Sequence, residues 1–229
     1  RYFRAKKDSY QTSSGKIVDP YFFVEIPRSV VAMALTENNE GIKKNEHGGN
    51  MKKDPVTGEE THYIINGEEY ERASKMTSEP FTGSAETQKA SSSAGKLVHS
   101  VIEDILMGKT PTKPAGISAV AYMDLISQAR GIQEELRGRG ETTISVEMVV
   151  YNTKRGIAGT FDILTKDRKG EYRLYDIKTL TESGLNNYEE TKYGRSKRDQ
   201  HGSQLSVYAY MVNGHARDNG FSVQIKKGS

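Results

Sequence analysis

Apolar residues fall in short blocks along this chain, and their period changes from block to block. Tyr21, Phe22, Phe23, Val24 and Ile26 form a β-prone run, and residues 28–35 read as a strand or short helix. From 36 to 61 apolar residues nearly vanish among Gly, Asn, Lys and Glu, which predicts a mobile polar loop. Asn66-Gly67 then sits between the β-prone flanks Tyr63-Ile64-Ile65 and Glu68-Glu69-Tyr70. Both turn residues tolerate positive φ, so a tight hairpin is predicted. A Ser/Thr/Gly-containing link over 77–93 leads to residues 94–107, where Leu97, Val98, Val101, Ile102 and Ile105 take helical spacing. Serines ahead of that helix supply its N-cap and Gly108 its stop. Residues 117–136 predict a second amphipathic helix, ending at Gly138-Arg139-Gly140.

The period then drops to two. Ile144, Val146, Met148 and Val150 alternate, which leaves Glu147 on the opposite face. Turn residues at 152–156 and 167–170 separate this run from two more, 157–164 and 172–179. The three predict an antiparallel meander. The last strand carries Leu174 on one face and Tyr175 and Ile177 on the other, as a central strand does. A polar, basic loop over 181–201, a helix over 202–213 and a strand over 221–226 complete the reading. Strands and helices in one chain give an expected fold class of α/β (α+β). An irregular N-terminal extension, residues 1–60, precedes one domain, residues 61–229.

Composition narrows the function without choosing it. With 34% hydrophobic and 28% charged residues and a net charge of +3, any nucleic-acid contact must come from local charge. There is no cysteine, which excludes disulfides, thiolate zinc sites and cysteine-ligated iron–sulfur clusters. That composition fits a reducing compartment. No apolar run approaches the roughly 20 residues of a membrane span, so no membrane association is expected. The start at Arg1-Tyr2-Phe3-Arg4 reads as the interior of a longer chain, and the end soon after a last strand suggests further sequence beyond Ser229.

Chemistry concentrates in the meander. Asp176 and Lys178, two apart on a strand, project to one side, and Asp162 lies on the neighbouring strand. Two carboxylates and an amine at one spot can hold a divalent cation beside a positive charge, a set suited to phosphodiester hydrolysis. An exposed ion pair is the alternative, but the flanking residues are apolar, and an unpaired buried acid is costly. His99 and Glu103 stand one helical turn apart at the edge of the apolar stripe. They would add a nitrogen ligand and a further carboxylate, or form a solvated pair. Glu147 would either join them or face water. Gln204 and Tyr208 form another one-turn pair, which by itself reads as a polar rim beside an aromatic core residue. Lys192, Tyr193, Arg195, Lys197 and Arg198 interleave cations with an aromatic, which suits a single-stranded nucleic acid or an ordinary solvated loop.

Taken in order, Gly95-Lys96-Leu97-Val98-His99-Ser100-Val101-Ile102-Glu103, Gly159-Thr160-Phe161-Asp162, Asp176-Ile177-Lys178-Thr179 and Gln204-Leu205-Ser206-Val207-Tyr208 resemble the RecB-like branch of the PD-(D/E)XK nuclease superfamily. The resemblance covers about residues 60–229. It implies a restriction-endonuclease-like mixed sheet flanked by helices and a Mg²⁺ or Mn²⁺ ion held by Asp162, Asp176, the Ile177 carbonyl and His99. It further implies that Lys178 orients the attacking water and that Gln204 and Tyr208 position the lysine and the DNA end. Some relatives bind an iron–sulfur cluster through cysteines; this chain has none. The function expected is a metal-dependent deoxyribonuclease, an exonuclease working on DNA ends in recombination, repair or phage DNA processing. A helicase or recombination protein is the expected partner, and the cytoplasm of a bacterium or phage-infected cell the setting. A catalytically silent DNA-binding scaffold and a dimeric endonuclease are the rival readings.

Overall fold

The computed structural model describes residues 10–11, 17–18, 21–25, 50–53, 55, 60–76, 85–180 and 192–218. Its strands are β1 (Tyr10–Gln11), β2 (Ile17–Val18), β3 (Tyr21–Glu25), β4 (Asn50–Lys53), β5 (Glu60–Ile65), β6 (Glu68–Arg72), β7 (Glu141–Asn152), β8 (Ile157–Asp167) and β9 (Tyr172–Leu180). Three helices accompany them: α1 (Ala85–Leu106), α2 (Ala119–Gly138) and α3 (Lys192–Asp218). β1 and β2 pair with each other, and the other strands form a mixed sheet of seven in the order β3-β9-β8-β6-β5-β4, with β7 also on β8. This is the restriction-endonuclease-like arrangement expected from the sequence.

The meander β7–β8–β9 is antiparallel, and β9 is central, between β8 and a parallel β3. The Asn66-Gly67 hairpin forms with φ of 53° and 84°, the left-handed values that favour this dipeptide. Gly108, at φ 72°, ends α1 as expected, and the Lys109 amide returns to the Asp104 carbonyl at 2.7 Å. Ser118 caps α2 by accepting the Ala121 amide at 3.2 Å.

Helices cover both faces of the sheet. Leu97, Val98 and Ile102 of α1 and Leu125 and Leu136 of α2 pack on Phe22, Val24, Val146, Ile163, Tyr175 and Ile177. On the other face Leu205, Tyr208 and Met211 of α3 pack on Val150, Phe161, Leu164 and Leu174. At one end of the sheet a buried Glu141 carboxylate accepts from Thr165 Oγ1 at 2.6 Å and Tyr175 Oη at 2.8 Å, while Arg173 pairs with Asp167 at 2.9 Å. These bonds offset the cost of burying charge there.

Several expectations are corrected. α1 begins at Ala85, so the serines at 91–93 lie inside it rather than capping it. Ala85, Glu86, Gln88, Lys89 and Ala90 are strong helix formers that carry no apolar stripe, so propensity extends the helix where periodicity is silent. β4 and the start of β5 occupy part of the span read as a polar loop, because strand pairing needs few buried side chains at a sheet edge. The basic stretch from Lys192 is helical, the first turns of α3, not a loop. Its Lys and Arg residues are good helix formers, continuous with a segment anchored by Leu205, Tyr208 and Met211. The runs 28–35 and 221–226 lie outside the described residues.

Candidate metal centre at a fork in the sheet

β8 has two edges, and they are used differently. β7 pairs along one of them from Ile157 to Asp167. The other is shared: β9 pairs with Ile163 to Lys166, β6 with Ile157 and Ala158, and residues 159–162 pair with neither. β9 leaves β8 at Tyr175 and runs on against β3 from Asp176. The sheet therefore forks between Asp162 and Asp176.

The same place breaks the strand alternation. Phe161 packs under α3, whereas Ile163, two residues on, packs under α1 and α2. Val146 and Val150 likewise lie on opposite faces, although an even spacing should keep them together. Between them Glu147 adopts φ 52°, a left-handed conformation that costs a non-glycine residue free energy. This corrects the simple alternation expected for residues 144–150. Its effect is to send Glu147 toward α1.

Five side chains meet in the fork. Glu147 Oε1 lies 2.6 Å from His99 Nδ1, and Asp162 Oδ1 lies 3.8 Å from the same nitrogen. Ligand atoms of His99, Glu147 and Asp162 all fall within 4.8 Å of one another. Asp162 Oδ2 accepts the Ile177 amide at 2.5 Å, supplying a partner at the point where β9 leaves β8. Asp176 Oδ2 is buried, 2.6 Å from Lys178 Nζ, yet receives no aligned hydrogen bond.

Burial and crowding set the protonation of these groups. Burial drives the Asp162 carboxyl upward, and the Glu147 charge adds to this against the pull of His99 and Lys178. Burial likewise raises Asp176 to about 6, with Lys178 opposing and Asp162 reinforcing. For His99 burial works downward, but Asp162 and the Glu147 hydrogen bond outweigh it and raise the imidazole to about 9. Acids displaced upward beside a proton-holding imidazole are a site short of positive charge. A divalent cation on His99, Glu147 and Asp162 would supply it, and the mixed oxygen–nitrogen donor set fits one.

The other candidates have definite places. Glu103 is buried on α1 and, with Glu147, lines a cavity of about 280 Å³; it lies outside the close ligand group. Gln204 Nε2 donates to Tyr208 Oη at 2.8 Å on α3. The Tyr208 hydroxyl is raised by burial first and then by the Asp162 charge. Gly159 explains how α3 comes so close: a Cβ there would lie 2.5 Å from Tyr208 Cε1. Gly159→Ala should push Tyr208 outward and cost about 1–3 kcal/mol of stability, measurable by chemical denaturation; an unchanged midpoint would show that the ring yields freely. The side chains of Lys192, Tyr193, Arg195, Lys197 and Arg198 lie outside the described residues. The sequence did not single out Tyr63 or Thr160, whose hydroxyls meet at 3.0 Å beside the fork. Tyr63 read only as a hairpin flank, and Thr160 stood in the Gly159–Asp162 run without a role of its own.

Residues 69–226 match the family model of the PD-(D/E)XK nuclease superfamily. The chain belongs to that superfamily. The matched span contains the whole fork and both flanking helices that supply side chains to it. Searches of curated proteins and of solved structures each found no match. The superfamily hydrolyses DNA with divalent metal ions, which agrees with the histidine–carboxylate cluster. No iron–sulfur cluster can be ligated by cysteine within these residues, and no described helix is long and apolar enough to cross a membrane.

A metal at this site must displace protons, so its affinity depends on pH. His99, raised from 6.5 to about 9, holds a proton at neutrality, and its charge contributes stability below about 6.5 that disappears as pH rises through about 9. Metal affinity should therefore rise from pH 6 to pH 9, by up to roughly tenfold per unit for each proton released. Calorimetric titration at pH 7 in two buffers of different ionisation enthalpy measures that release. Binding without proton release would remove His99 from the ligand set.

Proposed function

We propose that this chain is a metal-dependent deoxyribonuclease of the RecB-like branch, an exonuclease that works on DNA ends in recombination, repair or phage DNA processing. The observation that carries the reading is the juxtaposition in the fork of His99, Glu147 and Asp162 with the Lys178–Asp176 pair. The ligands are His99, Asp162 and Glu147, completed by Asp176 and the Ile177 carbonyl. Glu103 supports the set from α1.

His99, Glu147 and Asp162 would hold a Mg²⁺ or Mn²⁺ ion, which would supply Lewis acidity there. The protein's own groups do the rest. Lys178 Nζ, held beside Asp176, stabilises charge developing on the phosphoryl oxygens and orients the water that attacks. Asp162 fixes β9 through the Ile177 amide, so the lysine and the ligands keep one geometry. Gln204 and Tyr208 close the opposite wall and steer the DNA end toward the lysine. Lys192, Arg195, Lys197 and Arg198, with Tyr193, run along the start of α3 and track the strand by phosphate neutralisation and base stacking. Residues 61–229 form the nuclease unit and residues 1–60 an extension. A cytoplasmic setting beside a helicase or recombination partner suits this activity.

End-labelled linear DNA and covalently closed circular DNA, each supplied with Mg²⁺ or Mn²⁺, test the mode of action. Degradation of linear DNA alone is expected. Cutting of the closed circle would replace the exonuclease with an endonuclease, and DNA binding without cutting of either would leave a scaffold.

A further inference from the structure

We propose that the Tyr63–Thr160 hydroxyl pair donates a hydrogen bond to a backbone phosphate and so positions the DNA strand in the fork. The inference rests on the nuclease reading above and extends it to a part of the chain, β5, that precedes the family match.

The placement comes from the topology. β6 ends at Arg72, opposite Ala158. Thr160, the next residue on that face of β8, therefore has no β6 neighbour and is met across the gap by Tyr63 Oη, 3.0 Å from Thr160 Oγ1. Asp162 follows two residues further along the same stretch, roughly 7 Å on by strand geometry. Tyr63 is also close enough to the site for Glu147 and Tyr208 to share its electrostatic environment.

The chemistry comes from counting hydrogens. Each hydroxyl has one proton to give, and a bond between the two spends only one of them. Whichever group donates, the other keeps its hydrogen, and among the described residues neither hydroxyl makes a further hydrogen bond. A part-buried pair with a spare donor, beside a cluster that would hold a dication, suits an anionic oxygen. Burial is the first cause that raises the Tyr63 phenol above its ordinary value, so it remains a neutral donor at working pH. The ring itself is fixed by packing with Tyr70 and Ala158, which leaves the hydroxyl little freedom to turn away. Packing alone would account for the ring. It does not account for the pairing of two hydroxyls at the stretch of β8 that neither β6 nor β9 pairs.

The test couples the protein group to a single phosphate. Tyr63→Phe keeps the ring and removes the hydroxyl; Thr160→Val removes the other with little change of shape. Each is assayed on an oligonucleotide series in which one phosphate at a time near the cut is replaced by an uncharged methylphosphonate. Tyr63→Phe should raise KM about tenfold or more, with a smaller change in kcat and no loss of thermal midpoint. At one position the methylphosphonate should bring wild type down to the mutant level, and there the mutation should have no further effect. Thr160→Val should single out the same position. An equal effect on every substrate, or one that follows a fall in thermal midpoint, would make the pair structural and overturn the proposal. Unchanged KM in both variants with active wild type would also overturn it while leaving the nuclease reading intact. Failure of wild type to cleave unmodified DNA with either metal would remove that reading and this inference together.

Discussion

Lys178→Ala should lose cleavage on the order of 10²–10³-fold or more, the scale for removing one preorganised donor from a developing oxyanion, while still binding metal and DNA. The ligand atoms of His99, Glu147 and Asp162 are not contributed by Lys178, so the cation site survives. Metal affinity should hold or rise, because an ammonium 2.6 Å from Asp176 competes for the same carboxylate. The variant will also be less stable near neutral pH. Lys178 is the first of the groups that pull the Asp176 carboxyl down against burial, and without it only the weaker pull of His99 compensates the ionised acid. Addition of metal should recover part of that stability. Single-turnover cleavage, DNA binding by anisotropy and thermal midpoints with and without Mg²⁺ measure the three effects. Loss of DNA binding and metal binding together would make Lys178 a structural residue.

Asp162→Asn separates charge from shape. The amide oxygen can still accept from the Ile177 N–H, so the fork should keep its geometry. What disappears is the negative charge between His99 and the metal. Metal affinity should fall by on the order of 100-fold or more, since removal of an outer partner alone typically costs 10–100-fold, and activity should fall with it. The metal-free fold should not suffer in the same way. Burial raises the Asp162 carboxyl, so its ionised form is a net cost that asparagine avoids. A second signature follows from His99, whose imidazole is held near 9 chiefly by the Asp162 charge against burial. NMR titration of His99 in the metal-free variant should find it lowered. Unaltered metal affinity would take Asp162 out of the coordination set.

Much of this site was legible because its chemistry is local. Asp176 and Lys178 share a strand face through the period of two, and apolar neighbours on both sides already declared that strand central. His99 was placed by the helical spacing of α1, and Asp162 by the turn that separates β8 from β9. Glu147 was harder. Alternation along residues 144–150 put it away from Val146, and the left-handed backbone that turns it to His99 has no marker in the sequence. Such conformations are imposed by tertiary structure, here by the fork. The same holds for Tyr63, whose meeting with Thr160 depends on β6 ending at Arg72, a consequence of the parallel register between β6 and β8. Helix limits failed for a different reason. Residues 85–93 and 192–201 have few apolar residues to show a period, yet they extend helices that are nucleated and anchored elsewhere.

The most direct test of the metal centre is cleavage of end-labelled linear DNA by wild type and Asp176→Ala, each in EDTA, Mg²⁺ and Mn²⁺. Wild type should be silent in EDTA and active with either metal, and Asp176→Ala silent throughout while remaining folded. Cleavage in EDTA, or a folded Asp176→Ala that cuts as wild type does, would contradict hydrolysis at the fork.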